Sequence, residues 1–161
     1  MVRPSRPCPH IPTYPRRMSL PRTFARWLLG AALVFTGTAH LTFARDAFVA
    51  QVPSWLPLPV DVTVVASGVV EIALGLALLV LGRRRVAVGW IVAAFFVAIF
   101  PGNIEQFVRG TDAFGLDTDL ARGIRLLFQP LLVIWALWST GAWKAWRTRR
   151  RGSGRRPAVG R

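Results

Sequence analysis

The sequence predicts an all-α protein, a four-helix transmembrane bundle with both termini in the cytoplasm. Three observations carry this reading. The 161-residue chain is 53% hydrophobic, with a mean hydropathy of +0.41. It nevertheless has a net charge of +14, from 21 Lys and Arg against 7 Asp and Glu. The basic residues fall in clusters that bound four apolar stretches, each near the roughly 20 residues that a membrane-crossing helix needs. Disorder over most of the chain is excluded, because it requires low hydrophobicity. A disulfide scaffold is excluded by the single cysteine, Cys8. Nucleic-acid binding is not expected either. Binding to phosphate backbones gathers Lys and Arg on one surface. Here the arginines punctuate apolar spans, where they set topology and attract anionic membrane lipid.

Three segments follow along the chain. Residues 1–22 are rich in Pro and Arg without apolar periodicity, and read as a disordered basic tail. Met18 stands just before the first apolar run and is an alternative start. Residues 23–143 form the membrane domain, with spans at 24–43, about 61–81, about 86–107 and about 121–143. The first run is too long for a signal-peptide core, and no A-x-A site interrupts it. Residues 45–60 carry three prolines within RDAFVAQVPSWLPLPV and cannot continue a regular helix. Phe48, Val52 and Trp55 suit an interfacial segment. Gly82-Arg83-Arg84-Arg85 is a tight link, which makes the second and third spans antiparallel neighbours. Residues 108–120 read as a polar loop, and residues 144–161 as a second disordered basic tail.

The charges fix the orientation. Six arginines from Arg3 to Arg26, then Arg83 to Arg85, then the basic residues from Lys144 to Arg161 all fall on one side of a four-span bundle. Arg45, Arg109, Arg122 and Arg125 fall on the other side, with the acids in its loops or within the spans. The positive-inside rule places the crowded side in the cytoplasm, giving a multi-pass protein of the inner (cytoplasmic) membrane with both ends inside. Three or five spans would split the basic clusters between the two faces.

Within the spans the polar residues are the informative ones. Each ionisable group costs about 2.5–3.5 kcal/mol at mid-helix on insertion scales, so it faces the bundle interior and a partner. At ~1.5 Å per residue, His40 lies about 24 Å and Asn103 about 25 Å from the cytoplasmic ends of their helices. By the same rise, Glu71 lies about 15 Å, Gln129 about 12 Å and Arg125 about 6 Å from the outer ends of theirs. Every helix thus places a polar group in the outer half, and the five converge on one buried polar pocket. Gly68, Gly75 and Gly82 repeat every seven residues, a stripe that admits a neighbouring helix, so Glu71 faces protein. Glu71 is then either one half of a structural Glu71–Arg125 pair or a ligand-binding or proton-shuttling carboxylate. Arg125 and Gln129 share a face, and Pro130 frees the Leu126 carbonyl beside them. Pro101 is expected to kink or end the third span, with Asn103 satisfying the freed backbone or lining a cavity. Glu105 and Gln106 are expected to be solvated, and Arg122 interfacial. With two histidines in the chain and one in the tail, no metal site is expected. No haem, iron–sulfur or nucleotide motif occurs, and no catalytic motif.

Five short motifs occur in order: G-T-A-H-L at 37–41, V-P-S-W-L-P at 52–57, S-G-V-V-E-I at 67–72, P-G-N-I at 101–104 and R-L-L-F-Q-P at 125–130. In this the chain resembles the DoxX-like family of small bacterial four-helix membrane proteins, over about residues 24–143. Two features depart from that pattern. Gly102 stands where Ala is expected, a change expected to be sterically harmless, and the acidic loop at 111–119 is longer. The resemblance implies association with quinone-linked membrane redox systems and redox homeostasis. Its site positions transfer to His40, Glu71, Asn103, Arg125 and Gln129. Three expectations follow. The first is a non-catalytic subunit or scaffold that binds a quinone-like headgroup beside a redox partner protein. The second is a small transporter or lipid-handling protein using the same pocket. The third is a purely structural scaffold. An enzyme in its own right is not expected.

Overall fold

A computed structural model of the chain describes residues 18–49, 51–110, 115 and 118–153. Among these the regular structure is all helical: α1 (Leu20–Leu41), α2 (Arg45–Val49), α3 (Val60–Val80), α4 (Arg85–Arg109), α5 (Asp119–Thr140) and α6 (Ala142–Ser153). A 3-10 turn, Gly82–Arg84, makes the tight link between α3 and α4. Most of the N-terminal tail lies outside the described residues.

The helix ends follow from local chemistry. Pro21 sits in the first turn of α1, where its missing N–H is not needed. Thr118 caps α5 by accepting from the Ala121 amide, with Asp119 at the positive end of the helix. Gly110 and Gly141 close α4 and α5 at φ of 63° and 76°, a left-handed conformation that disfavours side chains. The break at Gly141 also ends the fourth apolar helix before residue 143, where the span was expected to stop. Beyond it the expectation of a disordered tail from 144 fails for the described part. Residues 142–153 are helical, carried by good helix formers (Ala, Lys, Arg) with Trp146 packed against Trp143 and under Arg150. Residues 154–161 lie outside the described residues.

Three stretches are long and apolar enough to cross a membrane: Val60–Val80, Gly82–Arg109 and Asp119–Thr140. The first expected span, α1, is not among them. Arg22, Arg26 and His40, with Thr23, Thr36 and Thr38, dilute its apolar character. Pro101 neither ends nor breaks α4, which runs on to Arg109, and Pro130 likewise lies within α5. Each proline forfeits one intrahelical hydrogen bond while the turns on both sides hold.

The long helices pack as two antiparallel pairs. Between α1 and α3 the backbones touch at Gly30–Gly75 and Gly37–Gly68. A Cβ added at Gly37 would lie 2.6 Å from the Gly68 carbonyl oxygen, and one at Gly75 2.6 Å from that of Gly30. The glycine stripe of α3 therefore meets a second stripe of the same spacing on α1. Between α4 and α5, Gly89 sits against Thr140 at one end and Asn103 bonds Gln129 toward the other. The Trp135 indole N–H donates to the Ala25 carbonyl at 3.0 Å, joining the pairs. Leu29, Leu33, Leu78, Val88, Val92, Ala136 and Leu137 fill the core there. This end gathers the start of α1, the α3–α4 link, the end of α5 and α6, and so the basic clusters. At the other end the pairs part.

Candidate functional site

Where the pairs part, a cavity of about 410 Å³ opens between them, lined by all five residues expected to converge: His40, Glu71, Asn103, Arg125 and Gln129. α1 contributes Thr36 and His40, α3 Ser67 and Glu71, α4 Asn103, and α5 Arg125 and Gln129. The α2–α3 connector closes the outer side with Gln51, Val52, Pro53, Trp55 and Leu56, and Phe48 of α2 joins them. Leu29, Leu33, Phe96, Ile99, Phe128 and Leu132 make the remaining walls largely apolar. Trp55 and Phe128 are 62% and 57% exposed, so the cavity reaches the protein surface beside them.

One wall is a hydrogen-bonded chain across the α1–α3 glycine contact, which brings these two helices close enough for it to form. Glu71 is 6% exposed, and its Oε2 accepts from the Thr36 hydroxyl at 2.7 Å. Its Oε1 lies 3.8 Å from His40 Nε2. His40 Nδ1 is 3.0 Å from Ser67 Oγ and 3.4 Å from the Val64 carbonyl. Ser67 donates its own proton to that carbonyl at 2.9 Å. Both neighbours of Nδ1 are then acceptors, so the network assigns the proton to Nδ1. In the neutral ring, Nε2 presents a lone pair toward the Glu71 carboxylate. At 3.8 Å the two atoms make no direct hydrogen bond to each other. The Phe48 ring packs on the imidazole, with centroids 3.3 Å apart.

The facing wall is made of amides and a guanidinium. Gln129 Nε2 donates to the Phe96 carbonyl at 2.6 Å, and its Oε1 accepts from Asn103 Nδ2 at 3.0 Å. Arg125 donates to Gln51 Oε1 at 2.8 Å. A guanidinium can only donate, so the amide oxygen of Gln51 must face it. That leaves Gln51 Nε2 buried without a hydrogen-bond partner on the cavity lining. Such a donor carries a desolvation cost of about 1–3 kcal/mol until an acceptor reaches it.

The family described as a domain of unknown function, DUF8561, matches residues 29–140. The chain belongs to the DUF8561 family. The DUF8561 match takes in every residue on the cavity lining and stops short of α6. No curated protein and no solved structure matches the chain.

Within the DUF8561 domain several expectations need correction. The Glu71–Arg125 pair does not form, because Thr36 and His40 hold the carboxylate while Arg125 reaches the connector instead. Glu105 is not simply solvated. Its Oε1 accepts from the backbone N–H and hydroxyl of Ser54 and lies 2.8 Å from Arg109 Nε, which ties the connector to α4. Gln106 and Arg122 are both buried, with Arg122 held by Asp119 at 2.8 Å. The expectation that Gly102 is sterically harmless is not overturned, since it is an added Cβ that would lie 3.2 Å from the Gln51 carbonyl oxygen. Thr36 and Gln51 are the residues that sequence reasoning missed. Thr36 could have been found one turn before His40 on the same face of α1. Gln51 lies in an irregular connector, where no periodicity signals which way a side chain points.

Proposed function

We propose that this DUF8561 protein is a four-span protein of the bacterial inner membrane with both termini cytoplasmic. Its cavity binds the polar headgroup of a quinone-like amphiphile. It acts as a non-catalytic subunit or scaffold of a membrane redox system, as the DoxX-like resemblance implies. The observation that carries the ligand reading is Gln51, a residue of the cavity lining whose Nε2 is buried without a hydrogen-bond partner. A ligand carbonyl would satisfy it. Arg125 and Asn103 stand beside it as further donors, and the Glu71–His40 gap opposite accepts a ligand hydroxyl. A quinone presents carbonyls when oxidised and hydroxyls when reduced, and its apolar tail suits the rim at Trp55 and Phe128. Glu71 and His40 would exchange hydrogen bonds or protons with the headgroup, and Arg125, Asn103 and Gln129 would orient it.

The topology has separate support. α1 falls short of the apolar character of its neighbours, yet it exposes Phe24, Trp27, Leu28 and Phe35, an outward face suited to lipid. The basic end gathers Arg22, Arg26, Arg83, Arg84 and Arg85, while Asp46, Asp61, Glu105 and Asp119 lie at the cavity end, in accord with the positive-inside rule.

The test is the quinone content of native-lipid nanodiscs, measured by extraction and mass spectrometry, for wild type and Glu71→Gln. The expected result is quinone enriched above the bulk lipid in wild type and lost from a variant that remains folded. Equal content at the bulk level in both would refute the quinone reading. That would leave a structural scaffold, or transport or lipid handling, of which transport predicts labelling of cysteines near Glu71 from both sides of the membrane.

A further inference from the structure

The other end of the molecule holds a second unsatisfied group. Arg26 of α1 is 7% exposed, and its Nε and NH1 are buried without a hydrogen-bond partner. The guanidinium lies over Gly82, the first residue of the link between α3 and α4. A Cβ there would be 3.8 Å from NH1 and 3.9 Å from NH2, in ordinary van der Waals contact with the guanidinium. Its electrostatic surroundings are repulsive, because Arg85 lies close enough to act on it. Arg22, one turn earlier on α1, is held over the Trp138 ring at 5.7 Å. Arg83 and Arg84 flank the site from the link. The described acidic residues sit mid-helix or at the cavity end, so none supplies a counter-charge here.

A buried cation without a counter-ion is strongly unfavourable. The usual remedy for a buried arginine is a carboxylate, and among the described residues this end of the protein provides none. We infer that the Arg26 guanidinium beside Gly82 is a binding site for a phosphate group, which completes the unpartnered cation from outside the chain. The planar fork of arginine matches phosphate oxygens in a bidentate way that a point charge does not. Arg83, Arg84 and Arg85 add longer-range attraction. The same chemistry is offered by the phosphodiester of an anionic lipid and by free inorganic phosphate. The lipid source rests on the membrane reading above, which sets this end at the headgroup level of the cytoplasmic leaflet. The site is distinct from the cavity; Arg26 lies just before the residues that match the DUF8561 family, while Gly82 and Arg83 to Arg85 lie within them.

The test uses the full-length chain, delipidated in detergent, with lipid retention read by native mass spectrometry. Dioleoylphosphatidylglycerol is compared with dioleoylphosphatidylcholine, with and without millimolar inorganic phosphate. Wild type is expected to retain the anionic lipid about tenfold over the zwitterionic one, the scale of one charge-assisted hydrogen-bonded pair. Arg26→Gln is expected to abolish this preference. The double change Arg149→Gln and Arg150→Gln on α6 is expected to keep most of it. Displacement of the lipid by inorganic phosphate would assign the site to the free anion, and resistance to displacement would assign it to the lipid. If Arg26→Gln does not fold, Arg26→Lys serves instead, and it should lose most of the preference while keeping the charge. Absence of both lipid preference and phosphate binding in wild type overturns the inference. So does a preference that survives at Arg26→Gln, or undiminished at Arg26→Lys.

Discussion

The same four long helices build two unlike halves. At the basic end they close on Leu29, Leu33, Leu78, Val88 and Val92, with side chains filling the space between the pairs. At the other end the pairs separate around a cavity of about 410 Å³, and polar side chains from every long helix face into it. Hydrophobic packing accounts for the first half. It does not account for the second, where apolar side chains would fill the gap at lower cost than buried amides and a buried carboxylate. The difference teaches that the hollow is specified by residue choice. The glycine contacts of α1 and α3 run through both halves, so the opening arises between the pairs and not within one.

The comparison can be broken most severely at the glycine contact. Gly37→Val would drive a side chain into the Gly68 carbonyl and the Ile72 backbone, within 2.6–2.9 Å. The expected result is loss of the monodisperse folded protein in detergent, read by size-exclusion chromatography. Gly123→Ala is its control. Its Cβ meets only the edge of the Phe107 ring at 3.6 Å, so the variant should fold and gain up to about 1 kcal/mol of helix propensity. The next largest effect is Leu78→Ala in the filled half, expected to cost about 2–5 kcal/mol in a reversible unfolding titration. Gln129→Leu in the hollow half should cost less, about 1–3 kcal/mol, because it strips the Phe96 carbonyl and Asn103 of their partners without opening the core. Gly102→Ala should be smallest, below about 1 kcal/mol. Its single tight contact is with the Gln51 carbonyl oxygen, and the connector can yield by a few tenths of an ångström. It should shift ligand occupancy more than the unfolding midpoint, since Gln51 lines the cavity.

Much of this was legible in the sequence, for reasons that particular residues make plain. The period-seven glycines of α3 and the depths of His40, Glu71, Asn103, Arg125 and Gln129 follow from helix geometry alone, and the structure brings those five to one cavity. The pairing of helices was not legible. Nothing local to Glu71 says that Thr36 and not Arg125 reaches it, because that depends on how closely α1 can approach at Gly37. The direction of Gln51 depends on a proline-rich connector pinned by Ser54 to Glu105. The burial of Arg26 was missed for the opposite reason. Its position among other arginines satisfied a topological rule completely, and that rule is silent on packing.

The measurement that bears most directly on the central claim is an experimental structure in native-lipid nanodiscs, inspected at the cavity. The account predicts density for an amphiphile whose polar head lies within hydrogen-bond reach of Gln51 Nε2 and Arg125, with its tail leaving past Trp55 or Phe128. A cavity that is dry and collapsed, with Gln51 turned to bond the protein, would contradict it.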